Sequence, residues 1–354
     1  MGRLLAGVAA AALCGGCAGL PLRPEQPVPA AAGPVAAAGT SAPAPPVAQV
    51  LSEPSAYVPP SAAQAARLQQ LLAPWLPAPG LGLPAGTPPP LPEPAAGWLP
   101  AYRIVSYYGN PLSPAMGVLG WYPPAETMQK LTAQAAAYTA ADPAHPAVPA
   151  IELVADVAQA SPGSGGLYRL RMSSAMIAGE LALARQNHAL LILDLQVGRS
   201  TVEQEVPYFL PFLSQPDVML ALDPEFDMPP GEVPGQEIGT MSATDINWAI
   251  SYVSSLVRRL GLPPKIVIVH QFLPSMVTDW QAIRGQPGVQ FVMDTDGYGG
   301  QGIKLANYQH FIADQPIPPV RYGGIKLFYK YDVNLMTPAQ IVALQPPPSL
   351  VIYQ

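Results

Sequence analysis

Three acidic residues follow one apolar run in the stretch "VMLALDPEFDM". Asp223 and Glu225 are two residues apart, so on an extended chain their carboxylates point to the same side, roughly 6–7 Å apart. Pro224 cannot donate to a sheet ladder, so it is expected to end the strand and lift Glu225 into a cleft. An acid beside a second carboxylate is the pair that hydrolyses glycosidic bonds. Asp227 is expected to belong to the following loop instead.

Polar residues recur at the ends of other apolar runs. Besides those above, they are Tyr107, Tyr108, Glu152, Asp194, His270, Asp294, Asp296, Lys326 and Tyr353. Only 11% of the chain is charged, so many of its acids fall at these ends. Burying an unpaired carboxylate costs several kcal/mol, so each acid needs a partner, a proton or a role. Glu225, Asp223 and Asp194 are predicted to be catalytic, and the other eight residues to bind substrate. Tyr107, Tyr108, Trp121, Tyr298 and Tyr329 are candidates to stack on a sugar ring.

The elements that position these residues are eight short apolar runs. They are "YRIVSYYG", "VPAIELVA", "ALLILDLQ", "VMLALDPE", "KIVIVHQF", "VQFVMDTD", "GGIKLFYK" and "SLVIYQ". Nearly continuous hydrophobic runs are typical of parallel strands covered by helices. Their alternation with helical stretches predicts a (β/α)8 barrel of the TIM type over residues 101–354, in which reacting groups lie at the carboxyl ends of the strands. An open doubly wound sheet is the alternative, but no GxGxxG or P-loop pattern follows a strand.

Helices are predicted at residues 124–141, 173–187, 201–215 and 242–261. Ser242 is expected to cap the last of these and Gly261 to end it. A further short helix is expected to begin at "TPAQ", with Thr337 as its cap and Gln340 completing a capping box. The chain ends at the eighth strand, so a helix over residues 61–76 is expected to take the position of the eighth helix.

The N-terminal segment has the features of an export signal. Residues 1–17 contain one arginine, a short apolar stretch and small residues, and the stretch is too short to span a bilayer. The "LCGGC" sequence resembles the lipobox of bacterial lipoproteins, which implies lipidation of Cys17, although Leu13 lies one residue too early. Cleavage without lipidation is the alternative. Both cysteines lie in this segment, so the remainder forms no disulfide.

The residues between the signal and the barrel are predicted to form a tether. Residues 18–60 are mostly Ala and Pro and are expected to be disordered. Residues 61–100 are expected to hold a helix followed by a Pro-rich linker. The predicted location is therefore outside the cytoplasmic membrane, lipid-anchored at the cell envelope or extracellular. The net charge of −6 and the lack of basic clusters exclude a nucleic-acid partner, and a monomer is expected.

Two resemblances extend this interpretation. "LALDPEF" resembles the Asp-x-Glu at the fourth strand of chitinase-like and lysozyme-like glycoside hydrolase barrels, although the longer chitinase-type acidic motif is absent. That resemblance implies Glu225 as general acid and Asp223 as its partner, with Asp194, Asp294 or Asp296 assisting. "YYGNPLSPAMGVLG", "LILDLQVGRST", "LALDPEFDM", "IVHQF" and "GIKLFYKYD" resemble an uncharacterised family of bacterial secreted proteins and lipoproteins, which implies an envelope location and no particular activity.

The main expectation is a glycoside-hydrolase-like enzyme that acts on a glycan or another small polar substrate without a cofactor. Two other functions fit the residues. Glu152, Asp194, Glu225, His270 and Asp296 could instead hold Mg²⁺ or Mn²⁺ in a metal-dependent hydrolase or isomerase, although the first strand has no His-x-His. A non-catalytic carbohydrate-binding or envelope-binding lipoprotein is the third possibility.

Overall fold

The computed structural model describes residues 96–315 and 321–354. The predicted signal segment with Cys17, the Ala/Pro-rich tether and the predicted helix at residues 61–76 lie outside the described residues. No helix in the described ranges is long and apolar enough to cross a membrane.

Eight parallel strands form a closed barrel. They are β1 (Arg103–Gly109), β2 (Ala147–Ala158), β3 (Leu190–Leu195), β4 (Val218–Leu222), β5 (Lys265–Gln271), β6 (Val289–Thr295), β7 (Arg321–Leu327) and β8 (Leu350–Tyr353). Each strand pairs with the next, and β8 returns to pair with β1. All eight predicted strands are confirmed. Short strands outside the barrel are Arg169–Arg171, antiparallel to β2, and the pair Met241–Ser242 and Val277–Thr278.

Helices pack around the barrel. They are α1 (Pro124–Ala141), α2 (Ser174–Gln186), α3 (Val202–Glu205), α4 (Leu210–Leu213), α5 (Ala243–Leu260), α6 (Gln301–Tyr308) and α7 (Pro338–Val342). Ser242 and Asp245 form a capping box at the start of α5, and Gly261 ends that helix in the left-handed conformation. Thr337 and Gln340 form the second capping box, at α7. The predicted start of both helices and the predicted end of α5 are therefore confirmed.

The helix predicted after β3 is broken into three short pieces. A 3-10 turn, Val206–Phe209, separates α3 from α4. Pro207 and Pro211 each lack the backbone N–H that a continuous helix would use, and each ring obstructs the preceding turn. The prediction of one helix over residues 201–215 was therefore wrong.

A short segment before β1 covers the N-terminal end of the barrel. Trp98 and Leu99 are almost fully buried there. The Leu99 amide donates to Gln290 Oε1 (3.1 Å), and Gln290 Nε2 donates back to the Leu99 carbonyl (2.6 Å). Gln290 is the second residue of β6, so this contact lies at the end of the barrel away from the carboxyl ends of the strands. The opposite end is therefore the face on which a cleft can open.

Removing the cap of α5, the helix after β4, tests how this fold is stabilised. Ser242→Ala is expected to lower the free energy of unfolding by about 1 kcal/mol, because the Asp245 amide loses its Oγ acceptor. Urea denaturation monitored by circular dichroism measures the change. Ser251→Ala, on the exposed face of the same helix, is the matched control and should stay within about 0.5 kcal/mol. Equal losses in both variants would contradict the capping role.

Candidate active site

Polar side chains from seven of the eight strands or their carboxyl ends converge inside the barrel. They are Tyr108, Glu152, Asp194, Asp223, His270, Asp294, Asp296 and Lys326, all buried. The strand register aligns them: Tyr108 pairs with Glu152, and His270 with Asp294. Asp294 also pairs with Gly324, where a Cβ would lie 2.5 Å from Asp294 Oδ1. The glycine thus makes room for a carboxyl group that a larger residue would displace.

His270 lies at the centre of this cluster. Its Nδ1 is 3.0 Å from Asp296 Oδ1 and 3.3 Å from Asp294 Oδ2. Its Nε2 faces Glu152 Oε1 at 3.4 Å. The other oxygen of Glu152 accepts a short hydrogen bond from Ser106 Oγ (2.5 Å). Both nitrogens of the imidazole therefore face carboxyl groups.

Lys326 supplies the second positive charge. Its Nζ donates to Asp296 Oδ2 (2.9 Å) and lies 3.7 Å from the centre of the Tyr108 ring. The Tyr108 hydroxyl donates to Asp223 Oδ2 (3.0 Å), which also accepts from Gln196 Nε2 (2.9 Å). A chain of polar contacts thus runs from β7 through β1 to the end of β4.

Several buried polar atoms have no hydrogen-bond partner among the described residues. They include both carboxyl oxygens of Asp194, Asp223 Oδ1, Glu225 Oε2, Glu152 Oε1 and His270 Nε2. A buried polar atom left unsatisfied costs about 1–3 kcal/mol. The cluster is therefore not a fully satisfied structural network.

Glu225 reaches the site by a different route from the predicted one. The strand ends at Leu222, as Pro224 indicated, but Pro224–Phe226 forms a 3-10 turn rather than an extension of the strand. Asp223 and Glu225 nevertheless face the same site, as predicted, with oxygens within 4.8 Å of each other. Asp223 is buried, whereas Glu225 is only half-buried. The turn therefore presents Glu225 to open space while Asp223 stays below it.

A cleft of about 440 Å³ opens above the cluster. Its floor carries Tyr108, Glu225, Asp296 and Lys326. The aromatic residues of its walls are Phe272, Tyr298, His310, Phe311 and Phe328. A mainly apolar cleft with a few convergent polar groups is the usual form of a small-molecule site.

The environment of the cluster separates the protonation states of its acids. Burial, reinforced by the neighbouring Asp223, raises the pKa of both Asp194 and Glu225 well above their ordinary values. Burial and the adjacent Asp296 do the same to the pKa of Asp294. Burial would also raise the pKa of Asp296, but Lys326 and His270 outweigh it and hold that pKa well below its usual range. Asp296 is therefore ionised, whereas Asp194, Glu225 and Asp294 favour their protonated forms.

The two cations respond to the same acids. Burial opposes protonation of His270, but Asp296 and Asp223 hold its pKa well above the ordinary histidine value. Burial likewise opposes the charge on Lys326, and Asp296 reverses the effect, so its pKa is raised. Both side chains are thus held in their charged forms by carboxylates in contact with them.

In the part of the chain that the structure describes, three groups of side chains offer ligand atoms at spacings that could hold a metal ion. They are Asp194, Asp223 and His270; His270, Asp294 and Asp296; and Asp223, Glu225 and Asp296. Carboxylate oxygens with one imidazole suit Mg²⁺ or Mn²⁺. The last two groups include Asp296, which already contacts the Lys326 ammonium.

Two predicted binding residues do not join the cluster. Tyr107 points away from the interior because side chains alternate along β1, and its hydroxyl lies 3.5 Å from that of Tyr329. The Tyr353 hydroxyl contacts Tyr138 (2.8 Å) and accepts from Gln134 (3.0 Å), both on α1. These two tyrosines therefore lie apart from the cluster that contains Tyr108, and their role in substrate binding stays a prediction.

Some residues of the site were missed by the sequence prediction. Ser106 could have been found, since it lies two residues before Tyr108 and therefore on the same side of β1. The cleft walls at His310 and Phe311 lie in a π-helical turn, Gln309–Ala313, which follows α6 and which no strand-end pattern indicates.

Comparisons of the chain with family models, with curated proteins and with solved structures return no match.

Substitutions of Asp296 and Asp294, two residues apart, test which of these carboxyl groups is protonated. Asp296→Asn is expected to lower the free energy of unfolding by about 3–5 kcal/mol, because it leaves Lys326 buried without its carboxylate. Asp294→Asn replaces a carboxyl group that favours its neutral form and should cost less than about 1 kcal/mol. Denaturation at pH 7 measures both. Equal costs would show that Asp294 is ionised as well.

Proposed function

We propose that the protein is a glycoside hydrolase that uses Glu225 as general acid and ionised Asp296 as the second carboxylate. One observation carries this proposal. Glu225 and Asp296 both line the cleft, and their surroundings move their pKa values in opposite directions. Two neighbouring carboxyl groups held in opposite protonation states are the arrangement from which acid and nucleophile roles arise.

The spacing of the two groups favours a retaining reaction. Glu225 and Asp296 offer oxygens within 4.8 Å of each other. Retaining glycosidases place their carboxyl groups about 5–5.5 Å apart, whereas inverting enzymes need about 6.5–9.5 Å to admit a water between them. The close approach of these oxygens fits the shorter of the two spacings. Asp296 therefore acts as the nucleophile.

The reaction then has two steps. In the first, an Asp296 oxygen bonds to the anomeric carbon, the glycosidic C–O bond breaks, and Glu225 gives its proton to the departing oxygen. In the second, water attacks the same carbon, Glu225 takes a proton from that water, and the bond to Asp296 breaks. Asp223 keeps the Glu225 pKa raised, and Lys326 orients Asp296.

The surroundings of the carboxyl pair support a sugar substrate. The aromatic walls can stack on the C–H faces of a sugar ring, whose hydrogens are attracted to the negative face of an aromatic ring. We also take the barrel to be of the (β/α)8 type, since helices follow β1, β2, β3, β4, β6 and β7. In such barrels the reacting groups lie at the carboxyl ends of the strands.

The two alternatives are less well supported. A divalent ion next to Asp296 would sit beside the ammonium of Lys326, 2.9 Å from the carboxylate, and that ammonium already supplies positive charge. A non-catalytic binding protein would be expected to have its acids paired. Here Glu225 Oε2 has no hydrogen-bond partner among the described residues, and Glu225 lines an open cleft.

Glu225→Gln tests the general acid. It is expected to lower kcat/KM by about 10²–10⁴-fold on glycosides with a sugar leaving group. With a dinitrophenyl glycoside the loss should be less than about tenfold, because that leaving group needs no proton. Glu237→Gln, an exposed position of the same loop, is the matched control and should behave as the wild type.

The pH profile gives an independent measure. Activity should fall as pH rises through the Glu225 pKa, which lies above the ordinary glutamate value of about 4.3. It should also fall as pH drops through the Asp296 pKa, below the ordinary aspartate value of about 3.9. Glu225→Gln should remove only the high-pH limb. Activity that survived Glu225→Gln but disappeared with a chelator would replace this proposal with the metal-dependent one.

We also propose that the enzyme is anchored at the cell envelope through a lipid on Cys17, supported by the signal-like residues before it. Cys17→Ser is expected to abolish incorporation of labelled palmitate and to move the protein out of the membrane fraction. Cys14→Ser is the matched control, three residues away in the same segment, and should leave both unchanged. Loss of label in Cys14→Ser alone would place the modification at the other cysteine.

A further inference from the structure

A second cavity of about 500 Å³ opens next to the cleft, on the outer side of β1. It is called the aromatic groove here and is lined by Tyr107, Val118, Trp121, Tyr122, Lys130, Ala133, Gln134 and Tyr329. Four of these eight residues are aromatic. The volume lies in the range of ligand pockets, about 300–1,000 Å³.

The rings of the aromatic groove are held in fixed orientations. Trp121 Nε1 donates to the Pro114 carbonyl (2.8 Å). The Tyr329 ring stacks on Tyr353 with ring centres 5.2 Å apart, and its hydroxyl lies 3.5 Å from that of Tyr107. Tyr122 and Tyr329 nevertheless stay more than a third exposed. Rigid aromatic side chains with accessible surface bind a ligand at little cost in conformational entropy.

The distribution of lysines gives this groove its charge. The whole chain has only five lysines, and three of them, Lys265, Lys304 and Lys326, are buried. The other two both lie over rings of the aromatic groove, Lys130 as one of the residues that line the cavity and Lys330 through its contact with Trp121. Lys130 Nζ is 4.6 Å from the centre of Tyr122, and Lys330 Nζ is 4.2 Å from the centre of Trp121.

These two ammonium groups have little to neutralise them. Lys130 has one ion pair, with Glu126 at 3.5 Å, and the side chains of Lys130 and Glu126 are each over 40% exposed. Lys330 makes no ion pair with any residue in the ranges 96–315 and 321–354. In a chain with a net charge of −6, this is a local positive site. A ligand that fits it has a flat face for the rings and a negative group for the lysines.

The aromatic groove and the cleft are direct neighbours. Tyr107 lines the groove, and the next residue, Tyr108, lines the cleft. Likewise, Tyr329 lines the groove, and the residue before it, Phe328, lines the cleft. Consecutive Cα atoms are about 3.8 Å apart, but consecutive strand side chains point to opposite sides, so a chain of sugar rings that enters both cavities must pass over the carboxyl end of β1. Gln354 lines the cleft and donates to the Met116 carbonyl (3.2 Å).

We infer that the aromatic groove is a subsite for a sugar ring that carries a carboxylate, such as a uronic acid. The inference rests on the proposed function, since it makes the substrate an acidic oligosaccharide with one ring in the cleft and the next in the groove. Trp121 and Tyr329 contact the faces of the ring. Lys130 and Lys330 bind its carboxylate.

Calorimetry with the full-length chain tests this inference, using the Glu225→Gln variant so that the probe is not cleaved. The probes are trigalacturonate and trimannuronate, with cellotriose as the neutral comparison. At least one acidic trimer is expected to bind more tightly than cellotriose. Adding Lys130→Gln and Lys330→Gln should weaken its binding by at least about tenfold, because two charged contacts are lost, and should leave cellotriose unchanged.

Matched controls separate charge from folding. Arg258→Gln with Arg259→Gln removes two exposed positive charges from α5 and should leave binding of the acidic trimer unchanged. Trp121→Ala should weaken the binding of all trimers. If neither acidic trimer binds more tightly than cellotriose, or if the lysine pair does not affect that binding, the inference is wrong.

The two proposals can fail separately. Lysine-dependent binding of an acidic trimer that wild-type protein never cleaves would retain the subsite and overturn the hydrolase. Cleavage that depends on Glu225 but not on Lys130 or Lys330 would retain the hydrolase and overturn the subsite.

Discussion

The rest of the structure depends on an excess of acids inside one closed barrel. Within the described ranges, six acids share this interior with two cations, His270 and Lys326; the acids are Glu152, Asp194, Asp223, Glu225, Asp294 and Asp296. Charges buried in a medium of low dielectric interact far more strongly than in water, so six carboxylates cannot all be ionised together. Asp296 keeps its charge because it contacts both cations. Burial, with Asp223 beside Asp194 and Glu225 and Asp296 beside Asp294, raises the pKa of the other three acids.

A closed sheet is what makes such a cluster possible. Its backbone N–H and C=O groups form hydrogen bonds between neighbouring strands, so the interior is filled by side chains. At the other end, Gln290 closes the barrel by binding the backbone of Leu99. Gly324 has no side chain where Asp294 needs room. The acids are thus confined to the end at which the chain opens a cleft above them.

Much of the barrel could be predicted from the sequence, because eight apolar runs, Ser242, Gly261 and Pro224 each have a direct local meaning. The direction of Tyr107 could not, since both sides of β1 are buried and the apolar pattern shows no alternation. Pro207 and Pro211 could have indicated the broken helix after β3. The placement of Lys330 over Trp121 brings together residues that are far apart in sequence, and no local pattern indicates it.

A purely structural role does not account for the cluster. Buried ion pairs are often replaced by apolar residues without loss of stability, so a barrel selected for stability alone has no need of them. The unsatisfied oxygens of Asp194 and the free oxygen of Glu225 further lower stability. Such costs are typical of sites where groups are held ready for a reaction. Glu225 is the one acid of the six that is both half-exposed and shifted toward its protonated form, which makes it the group that can deliver a proton to a bound ligand.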